Sequence, residues 1–468
     1  MQQAITIWDY LILPIFLFII YFIARNIKKK LQSDNVSNSF FLSGLTFKIM
    51  GGLGVCLIYA YYYVGGGDTI AYFFGANDLI DLLYQDLSLF LSFLLGNNSI
   101  ENFSHFNGLV NLNGFWTYMY KDTNSFAVIR FTSILSLLGF KTFFGITIII
   151  ATLSYIGIWK LFSLFVREFK DIKKSLAFAI LFIPSVAFWG SGILKDTYTL
   201  SATCWMVYSF YMVFIDKKKI FANVIAIIVM SYILLSIRPF MLYISLISLI
   251  LMLTHFYLTN VKSAFIRFIS LIMILIVFWG GGIFALVTLG EKAGGAFSTI
   301  DGMLEKAAVT QQDLSRDYYG ENSFNIGTFE PTIEGILAKA PLAINAGLFY
   351  PYIWKANNPV MFIAGLENLV LLLLSLYVLL LIIVAIFKIG PRYMLKTLFD
   401  HPLVIFSLSY AIPFAFMVGL TTANYGALVR YKIPLVPFYL VSLFIIIHKF
   451  NRINVDSQHG DNKVIKQA

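Results

Sequence analysis

Long runs of apolar residues, each about the 18 to 20 positions that carry a helix across a bilayer, recur along almost the whole chain and are parted by short polar stretches. They fall at residues 8 to 25, 46 to 64, 142 to 163, 176 to 194, 198 to 215, 220 to 237, 240 to 258, 266 to 289, 360 to 387, 402 to 420 and 432 to 448. This pattern predicts an all-α, polytopic transmembrane protein of about eleven spans. The paired runs 176 to 194 and 198 to 215 also read as one broken hairpin. A shorter apolar run, 126 to 139, is held near a surface by Arg130 and Lys141. The first run has no basic segment before it and its positive charges follow it, so it reads as an anchored span and not a cleaved signal peptide.

Two long polar stretches interrupt the series, at about 65 to 125 and 290 to 358. In the first, Leu79, Leu82, Leu83, Leu87 and Phe90 recur at helical spacing with Asp78, Asp81 and Asp86 between them. Such a segment predicts a helix lying along the membrane surface. Residues 1 to 452 then form one transmembrane domain with these two loops, and 453 to 468 a polar cytoplasmic tail.

Composition excludes a soluble globule. Apolar residues make up 59% of the 468 positions and charged residues only 12%, against about 25% charged in soluble chains. The two cysteines, Cys56 and Cys204, lie in apolar runs without a CxxC or histidine partner, which argues against a disulfide framework or a zinc site.

Basic residues assign the two sides, because they are retained in the cytoplasm. Placing Arg25, Lys28, Lys29, Lys30 and Lys48 inside and alternating at every span collects 22 of the 34 Lys+Arg on that side. The other side holds 17 of the 24 acidic residues, so the net charge of +10 divides into +15 inside and −5 outside. The N-terminus is expected outside, the C-terminus in the cytoplasm, and both long loops outside. The basic balance reports topology and contact with anionic membrane lipids, and no nucleic acid.

Candidate chemistry gathers at the outer ends of the spans. Gly65-Gly66-Gly67-Asp68 puts a carboxylate beside backbone free to adopt unusual dihedrals, at the end of the second run. Pro184 to Lys195-Asp196 forms one outer turn, Arg238-Pro239 the next, and Asn424 through Arg430, Lys432 and Pro434 the last. Arg316 and Asp317 stand in the second loop. Cations held at one depth beside an acid suit an anionic lipid phosphate and the hydroxyl of a second substrate. Each residue has a plainer use as well: Asp68 as the N-cap of the next helix, Lys195 and Asp196 as markers of the membrane boundary, Arg238 as a snorkelling arginine. Arg430 and Lys432 stand against the positive-inside trend.

This layout resembles the GT-C superfamily of polytopic glycosyltransferases. The likeness is carried by Gly66-Gly67-Asp68-Thr69-Ile-Ala-Tyr72, Pro184 to Lys195-Asp196, Arg238-Pro239, and Asn424-Tyr-Gly426-Ala to Arg430-Tyr-Lys-Ile-Pro434. The resemblance implies an enzyme of a bacterial inner membrane; a direct displacement, which needs no second carboxylate as nucleophile, would make it inverting. It would take a sugar from a polyprenyl-phosphate-linked donor and pass it to a glycan, lipid or protein acceptor on the extracytoplasmic face. Asp68 would then be the general base, and Lys195, Arg238 or Arg430 would hold the carrier phosphate. Asp196, Arg316, Asn424 and Lys432 are further candidates for binding carrier phosphate or sugar. Many such enzymes place the acid after the first span and pair it with a second acid; here Asp68 follows the second span and stands alone, so neither a metal nor another cofactor is expected. Two other readings stay open: an O-antigen or exopolysaccharide polymerase or ligase built on Arg316 and Arg430, and a lipid or polysaccharide transporter or flippase. A transporter normally carries ionisable groups at mid-membrane, whereas nearly all charges here sit at span ends.

Overall fold

A computed structural model of the chain describes residues 4–31, 38–63, 67–109, 116–259, 302, 305, 309, 323–327, 330 and 332–458. Among them the protein is all-helical, with one isolated bridge between Ser323 and Asn424. Seven helices are long and apolar enough to cross a membrane, which marks the chain as a membrane protein. They are Ile7–Leu31 (α1), Phe41–Tyr61 (α2), Phe143–Glu168 (α8), Ile220–Ile237 (α12), Pro239–Thr259 (α13), the helix Pro359–Ile389 (α16) and Pro402–Thr421 (α18). The predicted run 266 to 289 lies outside the described residues, as does most of the second long loop.

Three other predicted spans take different forms. The run 176 to 194 is broken into Lys173–Leu181 (α9) and Pro184–Trp189 (α10), because Pro184 has no N–H to continue the first helix and instead starts the second. The run 198 to 215 is one helix, Lys195–Phe214 (α11), but buried hydroxyls at Thr197, Thr199, Ser201, Thr203 and Ser209 keep it less apolar than the seven. It is shielded by neighbouring helices rather than left to lipid. The last run is the second arm of a bent pair, Tyr425–Tyr431 (α19) and Val436–Gln458 (α20), with a bend of 66°. Helix α20 runs on through Gln458, past the predicted start of the polar tail.

The chain forms two compact units, Met1–Arg167 with Leu181–Leu242, and Glu168–Ile180 with Tyr243–Ala468. In the first, α2 and α8 run antiparallel: Tyr155 donates to Phe41 O at 2.8 Å near one end, and Cys56 Sγ meets Thr147 Oγ1 at 3.0 Å near the other. Asp9 ties α1 to α8 by accepting the N–H of Phe144 at 2.8 Å as well as that of Thr6. Pro184 to Leu194 packs on the face of α2 made by Gly51, Gly52 and Gly54, where a Cβ would run into Ala187, Ser191 or Phe188. Lys48, expected in a cytoplasmic loop, is buried within α2 and donates to the carbonyl of Gly190. The first part of the amphipathic stretch, from Ala76 to Gln85, is helical as expected. It belongs to Gly67–Gln85 (α3), which buries Tyr72, Phe73, Leu79 and Leu82 and packs on Thr123–Leu138 (α7) so closely that a Cβ at Gly75 would stand 2.9 Å from Ile129. Asp86 then ends α3 and caps Leu87–Leu94 (α4) through the Leu89 N–H, and Ile100–Leu109 (α5) and Trp116–Lys121 (α6) lead to α7.

In the second unit, Ile333–Ala338 (α14) precedes Ala340–Phe349 (α15), which crosses α18 at small residues. A methyl added at Gly347 would overlap the carbonyl of Ala415, and one at Gly419 that of Ala343. Small residues at intervals of four let two backbones approach, which is how helices pack without help from water. Pro391–Leu398 (α17) connects α16 to α18.

Candidate active site

Four helix ends of the first unit bring charged side chains together. Asp68 lies in the first turn of α3, just after Gly67, whose φ of +58° favours glycine. Asp122 is the N-cap of α7, Lys195 and Asp196 open α11, and Arg238 is the C-cap of α12. The turn at Arg238 follows from Pro239, which disfavours helical backbone before it and then begins α13.

Lys195 Nζ meets Asp122 Oδ2 at 3.1 Å, with 19% and 31% of the two side chains exposed. Asp122 also accepts from Ser125 Oγ at 2.6 Å and from the N–H of Asn124 at 3.2 Å, and Ser125 Oγ lies 3.3 Å from the hydroxyl of Tyr72 on α3. Behind this pair, Arg238 Nη1 faces Asp196 Oδ1 at 2.8 Å, with the Asp196 side chain fully buried and 9% of that of Arg238 exposed. Asp68 is half-buried, and its charge is felt at Lys195 together with those of Asp122 and Arg238.

Burial and charge set the protonation states. Burial works against the Asp122 charge, but the Lys195 ammonium, the Ser125 hydroxyl and the Asn124 N–H outweigh it and hold the carboxyl below its usual range. Burial pushes Lys195 below the ordinary lysine value, with Arg238 adding to the fall and Asp122 and Asp68 opposing it. Asp122 is therefore a persistent anion and a poor proton acceptor. Helices α3, α7 and α11 all begin here, so the positive ends of three helices add to two cations. Three carboxylates stand against these charges: Asp122 and Asp196 pair with Lys195 and Arg238, and Asp68 is half-buried beside them.

The structure thus brings together Asp68, Lys195, Asp196 and Arg238. Arg316 lies outside the described residues. The other three candidates belong to the second unit. Asn424 caps α19 by accepting the Ala427 N–H at 3.1 Å. Arg430 is buried, its guanidinium 5.9 Å from the Tyr431 ring centre. Lys432 is 1% exposed and donates to Leu348 O at 3.2 Å, Tyr350 O at 3.0 Å and Asn368 Oδ1. An ammonium has three N–H donors, and these acceptors take all of them, so Lys432 anchors the bend between α19 and α20.

Sequence reasoning missed Asp122. The available signal was an aspartate directly before Thr123-Asn124-Ser125 and an apolar run, the composition of a helix start. Among the described residues, no group of three or more His, Cys, Asp or Glu is placed to share a metal ion. No family model, no curated protein and no solved structure matches the chain. The likeness to polytopic glycosyltransferases stands on the sequence motifs alone.

Proposed function

We propose that the protein is a membrane glycosyltransferase that moves a sugar from a polyprenyl-phosphate-linked donor to an acceptor hydroxyl on the extracytoplasmic face. The observation that carries this reading is the gathering of Asp68, Asp122, Lys195 and Arg238 at four helix ends of one unit. Such a transfer needs a base within about 3 Å of the attacking hydroxyl and positive charge where the phosphate departs. Asp68, half-buried in the first turn of α3, accepts the proton of the acceptor hydroxyl. The hydroxyl oxygen bonds to the anomeric carbon as the bond from that carbon to the phosphate oxygen breaks. The phosphate leaves with the electron pair, and Lys195, backed by Arg238 and the helix N-termini, offsets its charge.

Asp122 takes no part as a base. It holds Lys195 in place, and its low proton affinity keeps the lysine paired at neutral pH. One displacement without a carboxylate nucleophile inverts the anomeric centre. The test is a cell-envelope glycan profile with Asp68→Asn and Lys195→Gln in place of the wild type, protein levels measured in parallel. Loss of one glycan at normal protein level is expected. An unaltered profile with Asp68→Asn stably present would sink the mechanism.

A further inference from the structure

Arg130 is a buried cation that faces no carboxylate among the described residues. It lies on α7 two turns past Asp122 and is 7% exposed. Nη1 donates to Leu94 O at 3.3 Å, at the C-terminal end of α4, and the Phe126 and Phe131 rings flank the guanidinium at 5.8 Å each. The side chain of Tyr232 on α12 also interacts with it. Nε is buried and has no partner. Lys195, Arg238 and Arg167 in the same unit each face an aspartate, but among the described residues no Asp or Glu pairs with Arg130. Gly96, with φ +99°, passes so near that a Cβ would stand 2.7 Å from Nη1. The backbone there has been kept bare to admit the guanidinium.

A carbonyl, a tyrosine side chain and two ring faces offer only partial negative charge, so an anion would supply what these neighbours do not. What borders it on one side identifies the anion's carrier. Tyr232 is 47% exposed, and from it Val229, Ile228, Ile225 and Phe221 continue as one exposed apolar stripe along α12. The stripe covers three turns, roughly 16 Å, a length suited to an acyl chain. Charge at its head and hydrocarbon along its length are the two halves of an anionic lipid.

We propose that the phosphate of an anionic membrane lipid docks on the Arg130 guanidinium, its chains lying along the exposed face of α12. This site is independent of the transfer reaction. The lipid completes the charge balance of α7, the helix that also carries Asp122.

The full-length protein, purified in detergent, is incubated with phosphatidylglycerol, phosphatidylcholine or inorganic phosphate, and bound lipid is counted by native mass spectrometry. Phosphatidylglycerol is expected to be retained over phosphatidylcholine, and Arg130→Gln to weaken that retention about ten-fold, the effect of one charged hydrogen-bonded contact. Because Arg130 also caps α4, Ile228→Asn provides a second test: it alters only the exposed stripe and should weaken retention without unfolding the chain. Equal retention by wild type, Arg130→Gln and Ile228→Asn would overturn the proposal. So would equal retention of the two lipids, or inorganic phosphate displacing phosphatidylglycerol at millimolar level and binding as well by itself, which would mark a site for a free ion.

Discussion

Replacing Asp122 with Asn and Lys195 with Gln, singly and together, tests whether the pair at the helix starts acts as one unit. Asn keeps an oxygen that can accept from Asn124 N–H and Ser125, so Asp122→Asn spares the α7 cap and removes only the charge. At 3.1 Å, opposite charges attract by roughly 5 kcal/mol at an effective dielectric of about 20, and by only about 1 kcal/mol in water. With 19% and 31% of the side chains exposed, the pair lies between these limits, and desolvation cancels part of the gain. A coupling energy of about 2 kcal/mol is expected, near the middle of the range for interacting neighbours. The measurement is the unfolding free energy of the full chain in mixed micelles for wild type, the two single variants and the double variant. Additivity within about 0.5 kcal/mol would refute the pair as a coupled unit and with it the role of Asp122 in positioning Lys195.

The stability of wild type relative to Asp122→Asn should fall with acid: the folded carboxyl is held below its ordinary range, so its contribution is present above that range and lost as pH drops through the lowered value. Lys195 gives the opposite edge. Between its lowered folded value and the ordinary lysine value the unfolded chain holds a proton the folded one has released, so stability relative to Lys195→Gln should rise with pH in that window, and a flat profile in denaturant titrations would contradict the burial of its ammonium. Gly419→Ala should destabilise the second unit by about 1–3 kcal/mol, read as a lower thermal midpoint, because the new methyl meets the Ala343 carbonyl; an unchanged midpoint would mean that α15 and α18 are not in close contact. Lys432→Met should cost about 3 kcal/mol by leaving the Leu348 and Tyr350 carbonyls and the Asn368 side chain without their donor, and a loss of glycan with unchanged stability would instead favour a substrate role.

Helices bounded by sharp chemical signals were legible in the sequence. The run 220 to 237 matches Ile220–Ile237, and 402 to 420 matches Pro402–Thr421, because each is flanked by charge or proline and is apolar all round. Interruptions were legible only where a proline marks them, since an apolar run has the same mean hydropathy whether or not the backbone continues through it. Pro184 was visible as a helix breaker, yet only the glycine face of α2 decides that the broken piece packs inward. Lys48 was misplaced for the same reason: its charge argues for a loop, and the carbonyl that accepts from it is 142 residues away. At the candidate site, Asp68, Lys195 and Arg238 stood out because each adjoins a glycine, a span end or a proline. Asp122 did not, because its meaning comes from a lysine 73 residues later.

The two ion pairs at this site sit at neighbouring positions of α11, and their burial divides the work between them. Asp196 and Arg238 are out of water, so losing either partner strands a buried charge, at a cost of about 3–5 kcal/mol. That pair fixes the start of α11 against the end of α12, and with it the position of Lys195. Asp68 sits half-buried in the first turn of α3, where a carboxylate contributes about 0.3–1 kcal/mol through the helix dipole, and its charge also acts on Lys195. Asp196→Asn should therefore lower the amount of folded protein, and Asp68→Asn should leave it nearly unchanged. Immunoblots of membranes carrying each variant, set beside their glycan profiles, separate the roles. If Asp68→Asn depletes the protein as severely as Asp196→Asn does, Asp68 is a structural acid and the base must be sought elsewhere.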